Sequence, residues 1–421
     1  MNKRLVGSAV STRARVKAIP AAVGLAMAGS MPRLARAQET TTVRLTGWTA
    51  SPDEDRLLVQ VLQDFEAAHP DIRVDYQPIP AEYPTKLQTD IAAGSVADVF
   101  YVDSLLAPDL MSREVLLPLD GYMSEAGVTA EDFYPGLIQA FQYNDATYGL
   151  PKDWSSLAMV YNQTAFEAAG IEAAPTTWDE LRQVGEQLRE ATGEARINIP
   201  PDFARYIAFL YAGGGRVVSE DGSAVALDSD EARASLDFYY GLYRDGLAST
   251  PADVGASWPG DAFAKDFADI VFEGNWMFPH LASSAPELAF GVAEMPEGPG
   301  GKATMAFTVS YSAFFGTQVP NEAWTLINYL TGPEGMAKWT SLGLAMPARP
   351  ALAEEWAQQF PERQPFLASG EYASPWALGP GGQGFFAEAN SVLQGLFAGG
   401  METSDAVADM AAAAEANIQF G

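Results

Sequence analysis

The sequence predicts an α/β protein of two lobes, each a mostly parallel sheet flanked by helices. Three observations predict it. The chain has 421 residues, more than one hydrophobic core usually organises. Strand-like and helix-like segments alternate along it, as in sheets covered on both faces. The alternation then restarts beyond Leu150, and no period of about 20–50 residues repeats that would signal a solenoid.

The elements follow in order. "TTVRLTGWT" (41–49) alternates like a strand, and "DEDRLLVQVLQDFEAAH" (53–69) has helical spacing with acids in its first turn. "IRVDYQPI" (72–79) is a strand, and "PTKLQTDIAAG" (84–94) is a helix opened by Pro and closed by Gly. "ADVFYVD" (97–103) has the apolar density of a strand covered on both faces. "TYGLPKDWSSLAMVYN" (147–162) begins with turn residues and ends as a strand, "LAMVYN". A helix ending at Gly170 follows, then "TTWDELRQVGEQLREATG", where Thr177 and Glu180 have capping-box spacing. "AVAL" (224–227) reads as a strand and "DSDEARASLDFYYGLYRDGL" as a helix. A strand at 306–315, a helix at 321–331 and two C-terminal helices complete the series.

Composition narrows the function. The net charge is −29, which disfavours nucleic acid, because a phosphate backbone demands a basic face. Residues 1–37 hold seven basic residues and no acid, with the short apolar run "AIPAAVGLAMAG" and "ARA" before Gln38. These are the parts of a secretory signal peptide, so we expect an exported chain starting near Gln38. There is no cysteine, which removes disulfides, thiolate chemistry and a lipid-anchored cysteine together. A soluble periplasmic or extracellular protein is expected. Seven lysines among so many acids also fit a halophilic host.

No catalytic constellation emerges. The two histidines, His69 and His280, lack metal-ligand spacing, and no metal or other cofactor is expected. The one G-x-G-x-x-G match, at Gly379, Gly381 and Gly384, contains Pro380 and follows no strand, so it carries no nucleotide site. Aromatics in polar, turn-like settings are more telling: Trp48 ends a strand, Trp154 lies in the 147–162 stretch, and Trp258 and Trp276 sit in "GASWPGDAF" and "EGNWMFPHL". An aromatic face stacks on the apolar face of a sugar ring, while carboxylates take its hydroxyls. Any one tryptophan is more often core; several at strand ends shift the balance. Trp178 and Trp324 sit in helix patterns and are read as packing.

The motifs together resemble the extracellular solute-binding proteins of ABC importers, the maltose-binding-like sugar group. The matching residues are Tyr148-Gly149-Leu150-Pro151-Lys152-Asp153, Tyr161-Asn162, Gly170 and Pro175-Thr176-Thr177-Trp178-Asp179-Glu180-Leu181. "AAGSVADVFYVDS" (92–104), "FEGNWMFPHL" (272–281) and residues 321–352 add to them, in the family's order. One departure is Ala97 where the family has Pro before the Asp of the third strand.

The resemblance implies a two-lobed periplasmic-binding-protein fold with a ligand cleft at a hinge of several chain crossings. It implies a first lobe of 38–151 plus 305–348 and a second of 152–304 plus 349–421. "GLPKDWSS" would be the first crossing, exposing Asp153 and Trp154 to the cleft. First-lobe contacts would be Trp48, Tyr83, Asp103 and Ser104, with Tyr311 on the returning strand. Second-lobe contacts would be Phe203, Arg205, Trp258, Trp276 and Phe385; for Phe385, packing against Phe386 is an equal expectation. The implied function is capture of a mono- or oligosaccharide by a monomer, without catalysis, and delivery to the membrane subunits of a permease. A carboxylate-dependent glycoside hydrolase and a binder of polyamine or another cation remain as alternatives.

Overall fold

In a computed structural model, residues 40–48 and 52–420 are described. The expected leader, residues 1–37, and the start at Gln38 lie outside them. Two sheets carry the fold. The first contains β1 (Thr41–Thr46), β2 (Ile72–Tyr76), β3 (Val99–Asp103), β4 (Leu150–Ser156), β10 (Thr304–Ala313) and β11 (Ala373–Pro375). The second contains β5 (Ala158–Asn162), β6 (Ile197–Asn198), β7 (Ala248–Ser249), β8 (Ile270–Glu273) and β9 (Phe290–Ala293).

The expected parallel order holds where helices connect the strands. β2, β1 and β3 pair in parallel, as do β8, β6 and β7. Strands that arrive without a crossover helix pair antiparallel. β10 runs against both β3 and β4, and β5 runs against β8 and β9.

The flanking helices used below are α1 (Pro52–Ala68), α2 (Tyr83–Ala92), α3 (Trp178–Thr192), α4 (Phe203–Ala212), α5 (Asp230–Arg244), α6 (Met277–Ser284), α7 (Pro320–Thr331), α8 (Pro333–Trp339), α9 (Gly382–Phe397) and α10 (Thr403–Asn417). α3 starts as expected: Thr177 Oγ accepts from the Glu180 amide at 3.3 Å. The Glu180 carboxylate reaches back to the Thr176 amide and hydroxyl, one residue earlier than a standard box. Trp178 stacks on Phe238 of α5 at 4.2 Å, and Trp324 of α7 packs on Tyr122; both are packing residues, as read. α4 was not assigned from sequence, and "AVAL" forms only a single bridge, Val218 to Val225. Gly379 and Gly381 both have positive φ and turn the chain into α9. A Cβ on Gly381 would lie 1.9 Å from the Asn417 carbonyl, so this glycine serves close packing against α10.

The passage from one sheet to the other is sharper than a turn-rich linker. β4 leaves the first sheet at Ser156 and β5 enters the second at Ala158, so Leu157 alone separates them. β4 therefore puts 150–156 in the first sheet, across the expected boundary at 151. β11 does the same for the boundary at 349: it pairs with β10, and the last entry into the second core comes only at Trp376. Between them the chain spans both lobes. The Trp356 indole donates to the Thr340 carbonyl at 3.1 Å, and Phe366 packs edge-on against Phe278 of α6.

Candidate ligand-binding cleft

Strand register decides which side chains share a surface. Directly opposed residues of an antiparallel pair point to the same face. Tyr311 opposes Tyr101, and Val309 opposes both Asp103 and Asp153. Phe307, Val309 and Tyr311 of β10, Tyr101 and Asp103 of β3, and Asp153 of β4 thus line one face. Alternation sends Trp154 to the other.

A bulge adds one more group to that face. Val309 pairs with Asp153 while the next residue, Ser310, pairs with Pro151, so Lys152 is the extra residue of the strand. A bulge turns two successive side chains to nearly the same side and re-aims them. The Lys152 ammonium pairs with Asp153 Oδ2 and lies 4.2 Å from the Trp339 ring centroid and 4.9 Å from that of Tyr101. The Trp339 indole at the end of α8 donates to the same Oδ2 at 2.7 Å. Glu54, in the first turn of α1, feels Lys152 as well: burial raises its carboxyl, and the lysine offsets part of that rise.

Around this centre the aromatics support one another edge to face. Tyr101 stands 5.3 Å from Tyr311 and 5.2 Å from Trp48. Trp48 also meets Tyr83 at 5.3 Å. Tyr83 is buried and donates its hydroxyl to the Tyr101 carbonyl at 2.7 Å, so it props the half-buried Trp48 rather than presenting a free hydroxyl. Ser104 is buried with its Oγ unpartnered.

Asp103 accepts from the Leu105 amide at 2.8 Å, yet burial outweighs this and pushes its carboxyl up to about 6. A raised carboxyl binds a proton on folding. Its stabilisation is complete below the unfolded value near 4 and is lost as pH rises through about 6. Between pH 4 and 7 the wild type should therefore lose up to about 3 kcal/mol relative to Asp103→Asn. Urea unfolding of both proteins across that range measures the difference; parallel profiles would refute it.

The second lobe contributes a smaller group. Glu273, at the end of β8, is fully buried and holds Arg205 of α4 through Nη2 at 2.9 Å and Nε at 3.2 Å. Its Oε2 also accepts from the Trp276 indole at 2.8 Å. Burial raises the Glu273 carboxyl against the pull of both donors. Trp276 is half-buried, lies 5.6 Å from the Arg205 guanidinium, and meets Phe307 edge-on at 5.6 Å. Phe307 lies on the same face of β10 as Tyr311, which links the two groups. A Cβ on Gly274 would stand 2.2 Å from the Trp276 ring, so the glycine makes room for the indole itself.

Four expected contacts take other places. Trp154 is 1% exposed, with its indole donating to the Pro347 carbonyl at 3.1 Å; strand alternation makes it core because Asp153 faces the other way. Phe203 and Phe385 are both 0% exposed and pack edge to face at 5.0 Å in the second core. They open helices α4 and α9, whose first turns point inward. Trp258 is half-buried beside His280 at 5.3 Å and packs against the first core. Lys152, Trp339, Tyr101 and Glu273 were not anticipated. The Lys-Asp pair beside Pro151 and the Glu in "FEGNW" were the only local hints. Among the described residues, no group of three metal-ligating side chains exists, and no helix is long and apolar enough to cross a membrane.

Two sheet-based lobes joined by extended strands, with a polar and aromatic surface at the junction, define a bilobal ligand-binding class. The chain belongs to the bacterial extracellular solute-binding protein family, whose model matches residues 49–337. A Brucella abortus protein named only as a binding protein is 28% identical over 330 residues, covering 75% of this chain and 78% of its own. A maltotriose-binding protein of Pyrococcus abyssi is 24% identical over 246 residues, 58% of this chain and 51% of its own. Among solved structures, an ABC substrate-binding protein of Listeria monocytogenes in complex with cycloalternan superposes with a TM-score of 0.80. It is 21% identical, covering 90% of this chain and 98% of that one.

Proposed function

We propose that this chain is the substrate-binding receptor of an ABC importer. It captures a mono- or oligosaccharide between its lobes and delivers it to the permease as an exported, soluble monomer. The observation that carries this reading is a pair of half-buried indoles, one per lobe, each held from behind. Trp276 is fixed through its Nε1 by Glu273, and Trp48 by the edges of Tyr83 and Tyr101. Rigid indole faces stack on sugar rings, and Asp103, Asp153 and Ser104 offer partners for hydroxyls. The sugars named for the Pyrococcus and Listeria relatives agree with this chemistry.

Ligand favours closure because only the closed arrangement engages both indoles. A thermal-shift panel of neutral sugars identifies the ligand through stabilisation of the folded state. Trp276→Ala should then cost about 2–4 kcal/mol of affinity, on the scale of a buried aromatic anchor, with much less effect on unfolding. Calorimetric titration and urea unfolding separate the two. Full affinity in the folded variant would remove Trp276 from the site, and turnover of glycosides in proportion to protein would replace the receptor with an enzyme.

A further inference from the structure

We infer that Lys152 sets the ligand class: its ammonium fills a cation-binding box that the cleft would otherwise offer to a cationic solute. The box is built from three groups. The faces of Trp339 and Tyr101 lie 4.2 and 4.9 Å from the Lys152 nitrogen, and the Asp153 carboxylate closes it with an ion pair. Aromatic faces with a carboxylate are the arrangement that binds alkylammonium ligands. Lys152 is 5% exposed, so the protein's own cation occupies the box almost completely.

Two consequences follow. A second ammonium meets a box already filled, so amino sugars, polyamines and choline-type solutes are excluded by occupancy. Asp153, already paired with Lys152 and with the Trp339 indole through Oδ2, is held in place as an acceptor for a neutral hydroxyl. The other cation of the cleft, Arg205, is matched in the same way by Glu273. Both cleft cations are neutralised from within, which suits an uncharged ligand. This inference rests on the receptor reading for its biological sense, while its test does not.

The test removes the ammonium and offers a replacement. Lys152→Ala is titrated with choline, using tryptophan fluorescence and calorimetry, beside the wild type and Lys152→Arg. Choline is expected to bind the alanine variant at least tenfold more tightly than the other two, and to raise the melting temperature of that variant alone. Lys152→Thr, a better strand former, serves if alanine does not fold. Equal choline binding by wild type and variant overturns the inference. So does a folded alanine or threonine variant that ignores choline, or an arginine variant that accepts it. A wild type that binds no neutral sugar but still rejects choline would sink the receptor reading and leave the filled box standing.

Discussion

Glu273→Ala should destabilise the unliganded protein by about 3 kcal/mol, because it strands a charge whose partner is gone. Glu273 has no exposed side-chain surface and takes three donors, two from Arg205 and one from Trp276. With the carboxylate removed, Arg205 keeps only Asp202, at 3.7 Å. The figure sits at the low end of the range for a broken buried pair, since 22% of the Arg205 side chain reaches solvent. The same substitution frees the Trp276 indole, so affinity should fall along with stability. Glu273→Gln keeps an acceptor for the indole and should preserve more affinity than stability. Urea unfolding and titration of both variants decide it; a variant as stable as wild type would show that the pair contributes nothing net.

Trp154→Ala should cost about 3–5 kcal/mol of folding stability, the range for truncating a large buried aromatic. The ring is enclosed by Tyr134 and the first core, and its indole anchors the Pro347 carbonyl. That bond, with the reciprocal backbone bonds between Trp154 and Met346, ties β4 to the chain that follows α8. Affinity measured on the surviving folded protein should change far less than for Trp276→Ala. Denaturant unfolding with calorimetry separates the two roles, and lost affinity at unchanged stability would return Trp154 to the cleft.

Those two tryptophans show how far the sequence could be read. Periodicity located most of the long helices and the strands β1, β2, β3, β5 and β10, while the shorter strands of the second sheet escaped it; the acids and caps at helix starts fixed several ends, as at Thr177. Trp154 was misplaced because its face depends on register with β10, more than 150 residues away, and no local pattern carries that. Phe203 and Phe385 were placed in the cleft only by the resemblance, with packing an equal expectation for Phe385; the two rings pack on each other in the second core. Asp153, Tyr311 and Trp276 were expected from the resemblance, whereas the strand end that carries Asp103 was legible in the sequence itself. Trp339 was not, since a tryptophan at a helix end reads as packing until the strand it faces is known.

The irregularity in β4 also bears on how this surface could change over generations. Leu150 opposes Tyr311 and Pro151 opposes Ser310, while Asp153 opposes Val309; apart from Lys152, the strand keeps perfect phase with its neighbour. Deleting that single codon would leave every other side chain on its present face, whereas a deletion elsewhere in the strand would exchange cleft and core residues. The ammonium is thus a detachable insertion, and a lineage could gain or lose it in one step without rebuilding the sheet.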